Sequence, residues 1–297
     1  MHRRSFLFLS ILCLFFISLY VFCKIESKDS FVDKKTKICI ADNEDYPAFC
    51  HLAANDEYYF NEFKRSWAFN LVHESFTYEE GRDCLILMLS RYPKFLEKVE
   101  AFRANDLYGN PRTFKYPFVG NFSPTTLHYM KVAGDLKQIF GNLNGLTIVE
   151  IGGGYGGQCK ILSDLFQFEK YILIDLPEPL ELAKKYVQKH GISNVLFYTF
   201  DEIPFLKSTD LVLSNYTFTE CEKKLQKKMI QNILMGSKRG YLICNFYPKK
   251  FGVSSLSKQQ LLKPLKEYRF NLRELPEEPK TGKENFVLIW KNHLMEK

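Results

Sequence analysis

The second half of the chain alternates between apolar runs and segments of helical period. The runs fall at 146–151, 171–174, 195–198, 211–213, 241–244 and 286–290, and helical spacing fills 177–190, 223–235 and 258–268. Strands that are apolar from end to end, separated by helices, predict a mainly parallel sheet covered on both faces. One more short run at 272–275, linked to 286–290 through Pro276, Pro279 and Gly282, predicts a terminal hairpin and completes a seven-stranded sheet.

The first half has a different rhythm. Phe60, Phe63, Trp67 and Leu71 recur at three-to-four spacing, as do Leu85, Leu89 and Tyr92 before Pro93 ends that run. Gly109-Asn110-Pro111 and Gly120-Asn121 punctuate a loop. A further helix opens at Ser123, a side chain suited to capping, with Pro124 at its first position, and runs to Phe140 before Gly141-Asn142. The expected organisation is therefore an apolar segment at 1–23, a charged linker at 24–50, a helical region at 51–141 over the mouth of the sheet, and an α/β domain at 142–297.

The segment 6–23 is uncharged and apolar. As a helix it would reach ~27 Å, enough for a thin bilayer. It suits an uncleaved membrane anchor or a cleaved signal peptide, and no small-residue cleavage site follows it. Lys24, Lys28, Lys34, Lys35 and Lys37 outnumber Arg3 and Arg4, which places the following domain on the cytoplasmic side of an anchored chain; cleavage would give a secreted form.

Composition narrows the classes. With 46% hydrophobic and 25% charged residues the chain has a globular core, and its 15% aromatic content gives thick packing. The net charge of +7 is spread out, without a basic block interleaved with aromatics, so nucleic acid is not the expected partner. The eight cysteines include no Cys-x-x-Cys pair and predict no metal site. Cys39 and Cys50 are a candidate pair in an oxidising compartment, and free thiols are the simpler expectation.

The chemistry-bearing stretch is Val149-Glu150-Ile151-Gly152-Gly153-Gly154-Tyr155-Gly156-Gly157, between the first strand of the sheet and a helix. Glycines there let the backbone turn tightly and approach a ligand that a Cβ would obstruct. Gly152, Gly154 and Gly157 fit a dinucleotide fingerprint, but a carboxylate at Glu150 would oppose a pyrophosphate and suits an ammonium. The parse Glu150, Gly152, Gly154, Gly156 therefore favours S-adenosylmethionine over a nicotinamide dinucleotide. Asp175 ends the second strand about twenty residues on, where a carboxylate accepts from ribose hydroxyls. Asp201, past the third strand, is the candidate for the adenine amino group.

Three motifs together resemble a known group: the glycine segment, Asp175-Leu176-Pro177-Glu178-Pro179-Leu180, and Ser214-Asn215-Tyr216-Thr217-Phe218-Thr219-Glu220. With the upstream Ser123-Pro124-Thr125-Thr126-Leu127, they are similar to the family of sugar O-methyltransferases, over about 114–290. The resemblance implies a Rossmann-like class I methyltransferase sheet, S-adenosylmethionine as donor and a saccharide hydroxyl as acceptor. Asn215 and Tyr216, after the fourth strand, are placed to orient the acceptor or to line the cofactor, and Leu176, next to Asp175, is counted with Asn215 among the expected cofactor-binding residues. The N-terminal apolar segment is not part of it.

A sugar hydroxyl is a poor acid, so transfer to it calls for a general base or a metal, although no His-rich or paired-carboxylate spacing demands the metal. Glu220, after the fourth strand, and His128, on the first turns of the helix from Pro124, are the candidates. The alternative is a protein that binds the cofactor without catalysis and acts as an interaction module at the membrane.

Overall fold

The computed structural model describes residues 37–246 and 248–292. The apolar segment 6–23 lies outside them, and among the described residues no helix is long and apolar enough to cross a membrane. The four helices α1 (Asp45–Asn55), α2 (Glu57–Glu62), α3 (Trp67–Asn70) and α4 (Tyr78–Arg91) come first, then the short α5 (Val99–Arg103). A small antiparallel hairpin of β1 (Phe114–Tyr116) and β2 (Gly120–Phe122) precedes α6 (Pro124–Phe140). The α/β alternation follows: β3 (Thr147–Ile151), α7 (Gly157–Leu165), β4 (Lys170–Asp175), α8 (Pro177–Lys189), β5 (Val195–Thr199) and β6 (Leu211–Asn215). The rest is α9 (Thr217–Glu220), α10 (Lys223–Asn232), β7 (Arg239–Cys244), α11 (Lys258–Glu267), β8 (Asn271–Pro276) and β9 (Phe286–Lys291).

The seven strands run in the order β5-β4-β3-β6-β7-β9-β8, all parallel except β9, which pairs antiparallel with β7 and β8. The chain reverses between β3 and β6, and ligands of such sheets bind in the crevice outside the strand ends at that reversal. The expected doubly covered, seven-stranded sheet is present, including its terminal hairpin.

Alternation along the strands builds two cores. Ile148, Tyr171, Leu173, Leu213, Tyr241 and Ile289 face α6 and the N-terminal helices. Val149, Ile172, Val212, Leu242 and Trp290 face α10 and α11. Helix α6 is buried continuously from Pro124 to Leu136, as befits a helix enclosed on all sides. Its start follows the sequence pattern: the Ser123 hydroxyl accepts from the Thr126 N–H at 3.1 Å, and Pro124 occupies the first turn.

Three expectations need correction. Phe60, Phe63, Trp67 and Leu71 do not form one helical stripe; a 3₁₀ turn at Phe63–Arg65 breaks the run. Phe60 and Phe63 are buried, whereas Trp67 and Leu71 are exposed. The loop between Pro111 and Ser123 contains the β1–β2 hairpin. From Lys37 onward the span read as linker is folded, with Cys39 buried and bridged to Cys221 and α1 beginning at Asp45. Tyr46 and Cys50 carry that helix into the core.

Candidate active site

Strand β3 delivers Glu150 to the centre of the sheet, on the same face as Tyr171 of β4. The Tyr171 hydroxyl donates to Glu150 Oε2 at 2.8 Å. Burial, with the nearby Asp175 charge, pushes the Glu150 carboxyl up to about 8 against the opposing effect of that hydrogen bond. At neutral pH it is mostly protonated.

Past Ile151 the backbone enters the left-handed region at Gly152 (φ +78°) and Gly154 (φ +53°), which a Cβ disfavours. Space adds a second requirement: a Cβ on Gly152 would collide with the Thr217 side chain, and one on Gly154 with the His73 ring. Gly156 caps the N-terminus of α7 at φ +89°. Between them Tyr155 points away from the crevice into a cluster with Phe63, Phe69 and Tyr186, where the buried Lys64 ammonium lies 4.4 Å from its ring centroid. Tyr155 thus locks the glycine turn to the N-terminal helices.

Asp175 ends β4 beneath the turn. Its Oδ2 accepts from the Gly154 N–H at 2.8 Å and its Oδ1 from the Leu176 N–H at 2.7 Å. Burial pushes its carboxyl up to about 6, and those two N–H groups oppose the rise. Leu176 is buried on the opposite face of the sheet.

On the far side of the crevice Asn215 ends β6. Its Nδ2 donates to Gln158 Oε1 at 3.2 Å, while its buried Oδ1 has no partner among the described residues. Glu220 ends α9; Asn245 Nδ2 donates to its Oε1 at 2.6 Å, and burial raises its carboxyl above the usual range. His128, on α6, lies stacked on Phe76 at 4.4 Å between ring centroids and beside Tyr216 at 6.2 Å. Neither of its ring nitrogens has a partner among the described residues. Burial, with the Lys131 charge, lowers its imidazole to about 3, so it is neutral across the physiological range.

Glu150, Gly152, Asp175, Asn215, Glu220 and His128 all line one cavity of about 90 Å³. Gly154 is not among the lining residues; the His73 ring, which is, stands where a Gly154 Cβ would project. Asp201 is not among them: it is exposed, and its backbone carbonyl accepts from Lys228 Nζ at 2.7 Å. Gly156 and Leu176 support the turn and do not line the cavity. A larger cleft of about 830 Å³ lies between α10 and α11 and contains none of these residues.

The N-terminal residues in the cavity wall were not legible as site residues. Tyr46, Val72, His73 and Phe76 close it from above, with Cys39 and Ala41. The Tyr46 hydroxyl and His73 Nε2 are hydrogen-bonded at 2.7 Å, and burial, with the Lys64 charge, lowers the His73 imidazole to about 4. These residues lie far from the glycine turn in sequence and within no motif. Among the described residues no group of His, Cys, Asp and Glu could hold a metal ion.

No protein-family model matches the chain. No curated protein matches it either. Among solved structures it is similar to a SAM-dependent methyltransferase from Aquifex aeolicus, with 20% identity and a TM-score of 0.39, over 54% of this chain and 89% of that one. It is also similar to a geranyl diphosphate C-methyltransferase from Streptomyces coelicolor A3(2), with 12% identity and a TM-score of 0.45, over 56% and 81%. A third is an O-methyltransferase family 2 protein from Planctomyces limnophilus, with 12% identity and a TM-score of 0.39, over 50% of each chain. All three scores lie below 0.5, so the strand order and the glycine turn themselves carry the assignment: a Rossmann-like fold with the class I methyltransferase sheet.

Proposed function

We propose that the chain is an S-adenosylmethionine-dependent methyltransferase acting on an uncharged hydroxyl compound, with a saccharide as the acceptor class. One observation carries the donor half of this reading. The cavity at the sheet reversal gathers three carboxylates, Glu150, Asp175 and Glu220, with Tyr46, Phe76, Tyr129 and Tyr216, and its wall contains no lysine or arginine. Carboxyl groups, once ionised, and aromatic faces favour a cation, and the wall offers an anionic ligand no cationic side chain. A sulfonium donor with an ammonium group has the complementary charge.

The donor set fits in chemistry. The unpartnered Asn215 Oδ1 and the Glu150 carboxyl are buried acceptors suited to an ammonium, and a buried acceptor without a partner costs about 1–3 kcal/mol. The space is tighter. At about 90 Å³ the cavity is well below the roughly 300–1,000 Å³ of small-molecule sites. The Asp175 oxygens already serve two backbone N–H groups. Holding a ribose at Asp175 therefore requires His73 to swing off Gly154.

On the acceptor side, the neutral His128 imidazole offers a lone pair to a hydroxyl proton, and Phe76 and Tyr216 offer flat faces to a sugar ring. Glu220, held by Asn245, is the second base candidate. The sugar O-methyltransferase resemblance supports the same acceptor, and the apolar segment 6–23 supports attachment to a membrane with this domain on the cytoplasmic side. Asp201 would reach an adenine only if the loop after β5 folded inward.

The closed cavity favours a second reading, a protein that binds the donor without turnover. Calorimetry with S-adenosylmethionine and S-adenosylhomocysteine tests the donor, and labelled-methyl transfer to a panel of neutral saccharides tests the enzyme. No binding by either nucleoside sinks both readings; binding without transfer to any member of the panel leaves the silent one.

A further inference from the structure

Residues 38–40 cross the rim of the crevice beside the end of α9. Cys39 faces Cys221 there in an isolated antiparallel bridge. The flanking hydrogen bonds run from the Ile40 N–H to the Glu220 carbonyl at 3.3 Å and from the Glu222 N–H to the Ile38 carbonyl at 2.7 Å. Those bonds make Cys39 and Cys221 the non-hydrogen-bonded pair of the ladder. Opposed Cα atoms in such a pair sit about 4.5 Å apart, with both side chains on one face. Disulfides span Cα separations of about 4.4–6.8 Å, so no backbone movement is needed.

We infer that Cys39 and Cys221 are a disulfide site, one that fastens the N-terminal cover to the rim of the crevice. Both thiols are buried, at 1% and 0% exposure, and free in this structure, where the Cys221 thiol donates to the Thr217 carbonyl at 3.2 Å. Cys39 also lines the cavity, and Cys221 directly follows Glu220. Cys50, the partner suggested by sequence proximity, belongs to the core on the other face of the sheet.

The oxidant is a small-molecule disulfide. One cysteine thiolate attacks it, forming a mixed disulfide and expelling one thiolate. The second cysteine then attacks the mixed disulfide and expels the other. Two protein thiols are oxidised, the small disulfide is reduced to two thiols, and these take up the two protons. Burial slows the first attack, so the reaction proceeds through brief opening of residues 37–42. Where glutathione is kept reduced, the pair rests as thiols.

The test uses the full chain, incubated with oxidised glutathione, blocked with iodoacetamide and digested without reduction. The expected result is a linked peptide joining Cys39 to Cys221, in a chain lighter by two hydrogen atoms. The thermal midpoint should rise by several degrees, because the bond closes a loop of roughly 180 residues. Dithiothreitol should reverse that rise, and Cys39→Ala and Cys221→Ala should each abolish it. Recovery of both cysteines in alkylated form, glutathione adducts alone, or a Cys39–Cys50 linkage would overturn the inference. If either alanine variant fails to fold, the peptide map of the parent chain decides. No methyl donor enters this experiment, so its failure leaves the methyltransferase reading untouched, and the reverse also holds.

Discussion

The His73 imidazole occupies the place into which a side chain at Gly154 would project, held there by its hydrogen bond to the Tyr46 hydroxyl. The glycine turn is thus shaped to admit a ring, and in this structure the ring comes from the protein's own N-terminal region. His73→Ala should open the crevice and strengthen S-adenosylmethionine binding by about three- to tenfold, since the donor no longer displaces a packed side chain. Titration calorimetry reads this directly. Unchanged or weaker binding in a folded His73→Ala protein would mean that the ring is no barrier.

Gly154→Ala tests the same contact from the other side. The new methyl meets the His73 ring in a left-handed backbone conformation, and together these should cost about 2–4 kcal/mol. Combining it with His73→Ala should recover the packing share of that loss and leave the backbone share of about 1 kcal/mol. Denaturant melts of the single and double variants separate the two. Strict additivity would show that the residues do not interact.

How this site was legible follows from where its parts lie in the chain. Glu150, Asp175 and Asn215 could be placed because each lies at the end of a strand or one residue before it, and apolar runs mark strand ends clearly. The same logic failed for Asp201, which follows β5; its side chain is exposed on a loop whose course depends on contacts such as Lys228 with the Asp201 carbonyl. The cover from Cys39 to Phe76 was opaque for another reason. Its helices are short and broken, and what aims Tyr46 and His73 is packing against Tyr155 and Phe69, contacts with no local signature. Trp67 and Leu71 share the spacing of Phe60 and Phe63 yet face solvent, because the 3₁₀ turn at Phe63–Arg65 rotates everything after it.

Glu150 gives donor binding a pH dependence with a defined sign. Its carboxyl is pushed up to about 8 in the free protein, so near neutrality it is mostly protonated, and pairing with an ammonium requires it to ionise. Affinity should therefore rise with pH between 6 and 7.5, by at most about tenfold per unit, with a proton released on binding. Calorimetry in buffers of different ionisation enthalpy detects that proton. Glu150→Gln should weaken binding and remove the slope and the release above pH 7, leaving near pH 6 only what Asp175 contributes. A flat profile in the parent would exclude Glu150 as the ammonium partner.

His128 carries a different signature. With its imidazole lowered to about 3, no rate change near pH 6.5 should come from this residue. An imidazole lowered this far is a weak base, so if it receives the acceptor proton, His128→Phe should keep the stacked arrangement with Phe76 and the donor affinity while reducing transfer by no more than about 10²-fold, the low end of the general-base range. Equal losses in donor binding and transfer would instead mark a packing role, and full activity would pass the assignment to Glu220.

Tyr216 links the proposed acceptor side of the cavity to the terminal hairpin. It sits at φ +68°, a conformation few non-glycine residues adopt, and its hydroxyl donates to Glu277 Oε1 at 2.6 Å. Glu277 is buried and also accepts from the Thr281 N–H and hydroxyl, both at 2.8 Å, and from Asn285 Nδ2 at 3.3 Å. The Tyr216 ring beside His128 is therefore positioned by a carboxylate between β8 and β9. Tyr216→Phe should cost about 1–2 kcal/mol, because Glu277 keeps its other donors. Glu277→Ala should cost about 3 kcal/mol or more, because it strands several buried donors at once. If the tether orients the acceptor, Tyr216→Phe should raise KM for the saccharide several-fold and leave donor affinity unchanged. A variant that melts earlier but keeps the parent KM would confine Glu277 to stabilising the hairpin.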